Sequence, residues 1–321
     1  MSHEVESMMF VGETPWHGLG TYCGDEGVDV DTALMASGLD WTVYDEPVHT
    51  TEGSVIPGFK AIRRDSDNSV LSINQESYRI FQNQEAFAFL DAIVAEDGGV
   101  KIETAGSLRM GKRIFIVAQT GSREVLPGDG VNEYMLVFTS HDGSLALTAL
   151  PTSVRVVCNN TLQAARGMAR GQKSGIKIRH TTRMDVQVAD ALSTLSDIRA
   201  AHAIQARFEE TLAAHKMKAT EWAALLDKIV PLPETRTARA EGKRDDLTHF
   251  YKEGIGTDIK GVRDTAWAAL NAVTQFTTHQ DARGDTTRLD RVLWGSGAAL
   301  VTQTSEFLAE VVDFDGTAFA A

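Results

Sequence analysis

The chain has few cysteines, no long apolar run and no basic amino terminus. Its 321 residues include only two cysteines, Cys23 and Cys158, which is too few for a disulfide framework and favours a reducing compartment. Its longest apolar runs, such as residues 114–118, are far too short to cross a bilayer. The first ten residues carry acidic side chains and do not have the pattern of a secretory signal. We therefore expect a cytoplasmic protein with no membrane partner.

Positive charge is scarce in the chain as a whole but concentrated in one stretch. The net charge is −13, which argues against a general nucleic-acid binder. Residues 1–103 hold 5 basic and 19 acidic side chains, whereas residues 104–183 hold 11 basic and 4 acidic side chains, a net of +7. Because charges are screened beyond about 10 Å at physiological salt, this local block could bind a polyanion. The alternative is a solvated face with ordinary helix-end charges.

The sequence lacks the spacing of the common cofactor and nucleotide motifs. The glycines of GMARGQKS, residues 167–174, do not stand next to the lysine, and the segment follows a predicted helix, so it does not fit a phosphate-binding loop. The glycine-rich stretch 18–24 has no predicted strand before it. The nine histidines form no HExxH motif and no close Cys/His pair. We therefore expect no cofactor and no metal site.

The periodicity predicts an α+β fold in three zones. Residues 1–30 form an acidic, glycine-rich segment, residues 31–183 an α+β core that contains the basic block, and residues 184–321 a mainly helical region. The core is predicted to be an antiparallel, hairpin-rich sheet backed by helices, because HDGS at 141–144 and SLRMGKR at 107–113 are turn signals between strand-like runs. The charged, proline-bearing stretch 231–246 is predicted as a loop.

The segment VRVVCNNTLQAARG, residues 154–167, admits two interpretations. Cys158 follows a predicted strand, and Asn160 is predicted to cap a helix over 160–169. The thiol could therefore be an activated nucleophile at a helix start, with His141 or His180 as its base, in a thiol-dependent enzyme. No triad or oxyanion signature accompanies it, and free cysteines are commonly buried, so a structural cysteine ending an inner strand is the favoured interpretation.

The basic block supplies the candidate binding residues. A sheet and helix that gathered its side chains onto one surface would form a groove for a phosphate backbone. Stacking partners for bases would come from Phe115, Tyr134 or Tyr78, which could equally be core residues. The basic candidates are Arg109, Lys112, Arg113, Arg155, Arg166, Arg170, Lys173, Lys177 and Arg179.

Several motifs together resemble a known family. ETPWHGLGT, SYRIFQNQEAFAFLD, TAGSLRMGKRIFIVA, SHDGSLALTALPTSVRVVCNNTLQAA, RDTAWAALNAVTQFTTHQ and WGSGAA are similar to the phage- and plasmid-encoded family of unknown function that begins with a WHGLG motif. The resemblance covers nearly the whole chain and implies a mobile-element protein in a bacterial host cell. It transfers no catalytic residue.

A more distant likeness concerns phage single-strand annealing proteins of the RecT, Red-beta and Rad type. Their hairpin-rich, basic sheet backed by a helix is similar to the predicted order of residues 133–170. The favoured hypothesis is a non-enzymatic, homo-oligomeric protein that binds single-stranded DNA or another nucleic acid, with a role in annealing and recombination. The alternatives are the Cys158 enzyme and a host-interaction or anti-defence protein that uses the C-terminal helices.

Overall fold

The structure is a computed structural model that describes most of the chain. The described residues are 5–12, 19–94, 101–155, 160–163, 175–193, 196–235, 237–279 and 295–314. The chain divides into two compact units, each made of several segments. The first takes Met1–Thr120, Tyr134–Leu150 and Gly175–Ser196, and the second takes Gly121–Glu133, Pro151–Ser174 and Asp197–Ala321. The three-zone division stays a prediction.

The strands are mostly joined by short turns, as the hairpin signals predict. The described strands are β1 Val5–Phe10, β2 Thr21–Tyr22, β3 Val43–His49, β4 Val55–Arg64, β5 Val70–Gln75, β6 Lys101–Leu108, β7 Arg113–Leu126, β8 Asp129–Ser140, β9 Leu147–Arg155, β10 Asn160–Gln163 and β11 Ile176–Ile178. In the first unit the main sheet has the order β2–β1–β6–β7–β8–β9–β11. In the second unit the last residues of β9 pair with β10 in antiparallel register.

One end of the main sheet gathers three connections. The β6–β7 pair and the β9–β11 pair are antiparallel, and short turns join β7 to β8 and β8 to β9. Strands joined by such turns run in alternating directions. The connections at 109–112, 141–146 and 179–183 therefore lie at the same end of the sheet in the first unit, which we call the turn end.

A second, three-stranded sheet of the first unit has the order β3–β4–β5. Both of its strand pairs are antiparallel, with Ala61 opposite Glu46 on one side and opposite Ile73 on the other. One face of this sheet buries Ile62 and most of Arg64. Leu71, the extra residue at a register shift in β5, is also buried.

The helices bury apolar stripes in both units. The described helices are α1 Val30–Ala36, α2 Asn83–Val94, α3 Met184–Ser193, α4 Ser196–Ala214, α5 Ala219–Ile229, α6 Ala238–Glu253, α7 Ala266–His279 and α8 Ser296–Val311. In the first unit, Phe87 and Leu90 of α2 are fully buried. In the second unit, Trp267 of α7 is fully buried and its indole N–H donates to the Asp129 carboxylate at 2.7 Å. No helix among the described residues has the length and hydrophobicity to span a membrane.

The predicted α+β class, with antiparallel strands and a helical C-terminal region, is confirmed. Two local predictions are wrong. Residues 160–163 form β10 rather than a helix capped by Asn160, because they pair with Thr152–Arg155 of β9. The predicted loop 231–246 becomes helix α6 from Ala238 onward.

Candidate nucleic-acid interface

Edge strand β11 and the residue that follows it carry two of the predicted cations. Ile178 is buried and Ile176 partly so, whereas Lys177 and Arg179 are exposed. Since successive side chains of a strand point to opposite faces, Lys177 and Arg179 project to the same side, away from the core. Arg183, which precedes α3, is also exposed. We call these three residues the cationic edge, and within the described part of the chain none of them forms an ion pair.

The β6–β7 turn brings Arg109 and Lys112 to the turn end. Arg109, Met110 and Gly111 all have left-handed backbone, with φ of 56°, 57° and 78°, a conformation that only glycine adopts without steric cost. A Cβ on Gly111 would stand 2.8 Å from the Arg64 Nη1 atom. The Lys112 carbonyl accepts a hydrogen bond from the His141 backbone N–H at 2.8 Å. The turn is therefore fixed against its neighbours, with Met110 at its exposed tip.

Arg113 lies at the turn end but is largely buried. Its side chain is 8% exposed, and its Nε donates to the Ser144 hydroxyl at 3.2 Å. The Asp142 carboxylate next to it accepts from the Ser144 N–H at 2.9 Å. Burial raises the pKa of Asp142, but hydrogen bonds from Ser144 and Ser140 and the charge of Arg113 outweigh it, so the pKa lies below its ordinary value. Arg113 thus stabilises a turn and is not presented to a ligand.

His180, predicted as a possible base, is held in one tautomer. Its Nδ1 lies 3.0 Å from the Arg79 carbonyl, so Nδ1 carries the proton and donates. Its Nε2 therefore accepts from the Thr139 hydroxyl at 3.0 Å. The ring stacks on Tyr78 at a centroid distance of 4.9 Å. Burial lowers the pKa of His180, and the ring is therefore neutral at physiological pH.

His141, the other predicted base, is fully enclosed. The Asn83 amide donates to the carbonyls of Leu39 and Trp41 at 3.0 and 3.2 Å, so its oxygen is the acceptor that faces His141 Nε2 at 2.9 Å. Nε2 therefore carries the proton, and the buried Nδ1 has no partner among the described residues. Burial lowers the pKa of His141 to about 3. This ring joins α2 to the turn end and has no path to a substrate.

The enzyme hypothesis stays a prediction. Both histidines are neutral and form hydrogen bonds within the protein. The predicted nucleophile, Cys158, lies outside the described residues. No group of three or more His, Cys, Asp or Glu side chains that could hold a metal ion occurs in the described ranges.

Arg123 of the basic block is neutralised inside the second unit. It forms ion pairs with Glu133, at 2.7 Å, and with the almost fully buried Glu209. Burial lowers the pKa of Arg123, but the two carboxylates raise it further, so the guanidinium keeps its charge. Together with Arg113, it shows that part of the +7 block supports the fold and is not available to a polyanion.

The structure brings together only some of the nine predicted cations. Arg109, Lys112 and Arg113 lie at the turn end, where β11 with Lys177 and Arg179 also ends, and all five belong to the first unit. Arg155 ends β9 in the second unit. The remaining three lie outside the described residues: Arg166, Arg170 and Lys173.

Sequence reasoning missed Arg183 as a site residue, although it was counted in the basic block. Arg183 becomes a candidate because it lies just beyond the edge strand, and the sequence alone does not show which strand is at the edge. The proposed stacking aromatics Phe115, Tyr134 and Tyr78 are 2%, 8% and 8% exposed. They are core residues, so the alternative interpretation given for them is the correct one.

Comparison with known protein families matches most of the chain. A family model described as "Domain of unknown function (DUF932)" matches residues 70–294, more than two thirds of the chain. The match includes β5 to α7, the turn end and the cationic edge, and it begins after the WHGLG motif. No curated protein and no solved structure matches the chain significantly.

Proposed function

The chain belongs to the DUF932 family of domains of unknown function, and we propose that it binds nucleic acid along the cationic edge. The observation that carries this proposal is that Lys177, Arg179 and Arg183 are exposed and have no ion-pair partner among the described residues. Two other cations of the basic block, Arg113 and Arg123, are buried or neutralised. In a chain of net charge −13, such unneutralised cations are a feature that a phosphate backbone would recognise.

The strand geometry supports phosphate contacts in particular. Lys177 lies on β11 and Arg179 directly follows the strand, so two residues of extended chain separate their attachment points by about 7 Å. Cations spaced in this way can contact neighbouring phosphates of one extended strand. Phosphate contacts set register and orientation but carry no sequence information. We therefore expect binding with little sequence preference.

Titration of a fluorescent single-stranded oligonucleotide across a NaCl series tests the proposal. The wild-type chain is expected to bind at low salt, with the logarithm of the association constant falling linearly with the logarithm of the salt concentration. The triple variant Lys177→Glu, Arg179→Glu, Arg183→Glu is expected to bind more weakly. Its salt slope should be smaller by about 2, because each lost phosphate contact on a single strand removes about 0.7.

A charge-matched variant controls for the change in net charge. Arg239→Glu, Lys260→Glu and Arg263→Glu reverse three exposed cations of the second unit. This control is expected to keep the wild-type salt slope. Absence of binding at low salt would sink the proposal, and so would an equal loss of binding in the two triple variants.

The finer proposal is single-strand annealing by a mobile-element protein. It rests on the resemblance in sequence to phage and plasmid proteins and on the hairpin-rich sheet, both of which bear on function only by analogy. Annealing requires tighter binding to single strands than to the duplex product. Competition between the two forms, followed by a fluorescence assay with complementary oligonucleotides, separates annealing from simple binding. Equal affinity with no faster annealing would leave a binding protein without this role.

A further inference from the structure

One face of the three-stranded sheet carries large exposed apolar side chains. Strand register places Tyr44, Arg63 and Val70 in one row across the face, and Glu46, Ala61 and Ile73 in the next. Phe59 and Gln75 form a third row. Four of these side chains are large, apolar and substantially exposed: Tyr44 37%, Phe59 45%, Val70 55% and Ile73 59%.

An apolar patch of this kind marks an interaction surface. The large exposed hydrophobic side chains number eleven among the described residues, and these four share one small face. Exposed apolar residues scattered singly need no explanation, whereas a contiguous group on a flat sheet does. We call this group, with Glu46, Ala61 and Arg63, the open face.

The charges of the open face indicate which kind of partner fits it. It carries one cation and one anion, Arg63 and Glu46, which pair with each other at 2.9 Å. The surrounding residues 41–76 hold six acidic and three basic side chains, which repel a nucleic-acid backbone. A surface with one Arg and one Glu beside an apolar centre is complementary to itself under a two-fold axis, because each charge then meets its opposite.

The strand edges favour packing through the face. At the β3 edge, the Gln82 side chain pairs with the Val43 backbone, accepting from its N–H at 2.9 Å and donating to its carbonyl at 2.8 Å. On β5, the Ser72 hydroxyl donates to the His141 carbonyl at 2.8 Å. At Val43 a side chain therefore occupies the backbone groups that an added strand would use, and at Ser72 the β5 strand is held against the turn end. Face-to-face packing of two sheets needs neither edge.

We propose that the open face is the contact surface of a homodimer, in which two copies pack their three-stranded sheets face to face and exchange the Arg63–Glu46 ion pairs. The apolar side chains form the centre of the contact and the ion pairs its polar rim. This dimer does not depend on the proposed nucleic-acid binding, because none of its residues belongs to the cationic edge.

Sedimentation velocity of the full chain tests the dimer directly. The wild-type protein is expected to sediment as a dimer at micromolar concentration. Ile73→Glu is expected to raise the dimer dissociation constant by more than about tenfold, because it places a carboxylate in the apolar centre. The control Val186→Glu, in α3 of the same unit and 64% exposed, should leave the dimer intact. A monomeric wild-type chain, or an Ile73→Glu variant that dimerises normally, overturns the proposal.

A mixing experiment remains informative even if a single variant folds poorly. Arg63→Glu and Glu46→Arg each place like charges opposite each other in a homodimer, so each variant alone is expected to be monomeric. In an equimolar mixture, positions 63 and 46 of one variant face positions 46 and 63 of the other, and both contacts then join opposite charges. A heterodimer is therefore expected, even though the charges within each chain stay mismatched. Failure of the mixture to dimerise overturns the exchanged ion pairs and with them the two-fold contact. A wild-type chain captured only by a foreign protein would count against it equally.

Discussion

At the scale of single residues, buried polar side chains organise the turn end. Asn83 satisfies two backbone carbonyls and the His141 ring at once. His180 connects Arg79 with Thr139 and stacks on Tyr78. Such groups are costly to bury unless they are paired, and they therefore fix a single arrangement. The sequence alone does not show these contacts of Asn83, since its partners are 42 to 58 positions away.

The lowered pKa values of His141 and His180 predict how the free energy of unfolding depends on pH. Burial places the pKa of both rings below the unfolded value of about 6.5. Between the folded and unfolded pKa values the unfolded chain binds more protons, so the free energy of unfolding falls as pH falls below about 6.5. Each ring contributes up to about 1.4 kcal/mol per pH unit. Asp142, whose pKa is lowered, contributes only below about pH 3.9.

Chemical denaturation of the wild type and of His180→Gln between pH 5 and 8 measures this dependence. We expect the two slopes to agree above pH 7, and the variant to lose less stability per pH unit below 6.5, because the contribution of His180 is then absent. Identical slopes over the whole range would show that His180 does not change its protonation on folding.

At the scale of elements, patterns with clear local signals were predicted correctly. The turns at 109–112 and 141–146 follow from their glycines. The wrong predictions concern segments whose secondary structure depends on their tertiary contacts. Asn160 and the residues after it have the pattern of a capped helix, but they pair with β9 as an antiparallel strand. The polar start of α6 has no apolar stripe before Leu247, so the sequence predicts a loop there.

The candidate site was predictable only in part, for the same reason. Composition located the basic block, but the burial of Arg113 and the neutralisation of Arg123 depend on Ser144 and on two glutamates far along the chain. Exposure at an edge strand, which selects Lys177 and Arg179, is a property of the sheet order. The open face likewise needs the register of three strands, which a single sequence does not specify.

The β6–β7 turn gives a prediction at this scale. Gly111→Ala adds a Cβ at a φ of 78° and within 2.8 Å of Arg64 Nη1. We expect it to lower the free energy of unfolding by about 2 kcal/mol, combining left-handed strain with a steric clash. Gly53→Ala is the matched control, since Gly53 has a φ of 87° and open space around its Cβ position.

The control should lose about 1 kcal/mol, the cost of the backbone conformation alone. Urea unfolding of both variants measures the difference between them. Equal losses would mean that the Arg64 side chain moves aside freely and that the turn is not fixed by its surroundings.

At the scale of the whole molecule, charge is distributed unevenly. Residues 1–103 carry a net −14 and residues 104–183 a net +7. The cationic edge and the open face both belong to the first unit, but the partners that we propose for them differ. The first offers unneutralised cations to phosphate, and the second offers a neutral apolar surface to a second copy. Added salt is expected to weaken the first interaction by screening it, and to leave the second unchanged or stronger.

The two proposed interactions should therefore respond to salt in opposite directions. Two chains of net charge −13 repel each other, and added NaCl screens this repulsion while leaving apolar burial intact. Sedimentation equilibrium between 50 and 500 mM NaCl is expected to show a constant or tighter dimer, while oligonucleotide binding weakens over the same series. The Ile73→Glu variant should lose the dimer at every salt concentration and keep its oligonucleotide salt slope. A dimer that dissociates as salt rises would show that attraction between charged surfaces, rather than the apolar open face, holds the copies together.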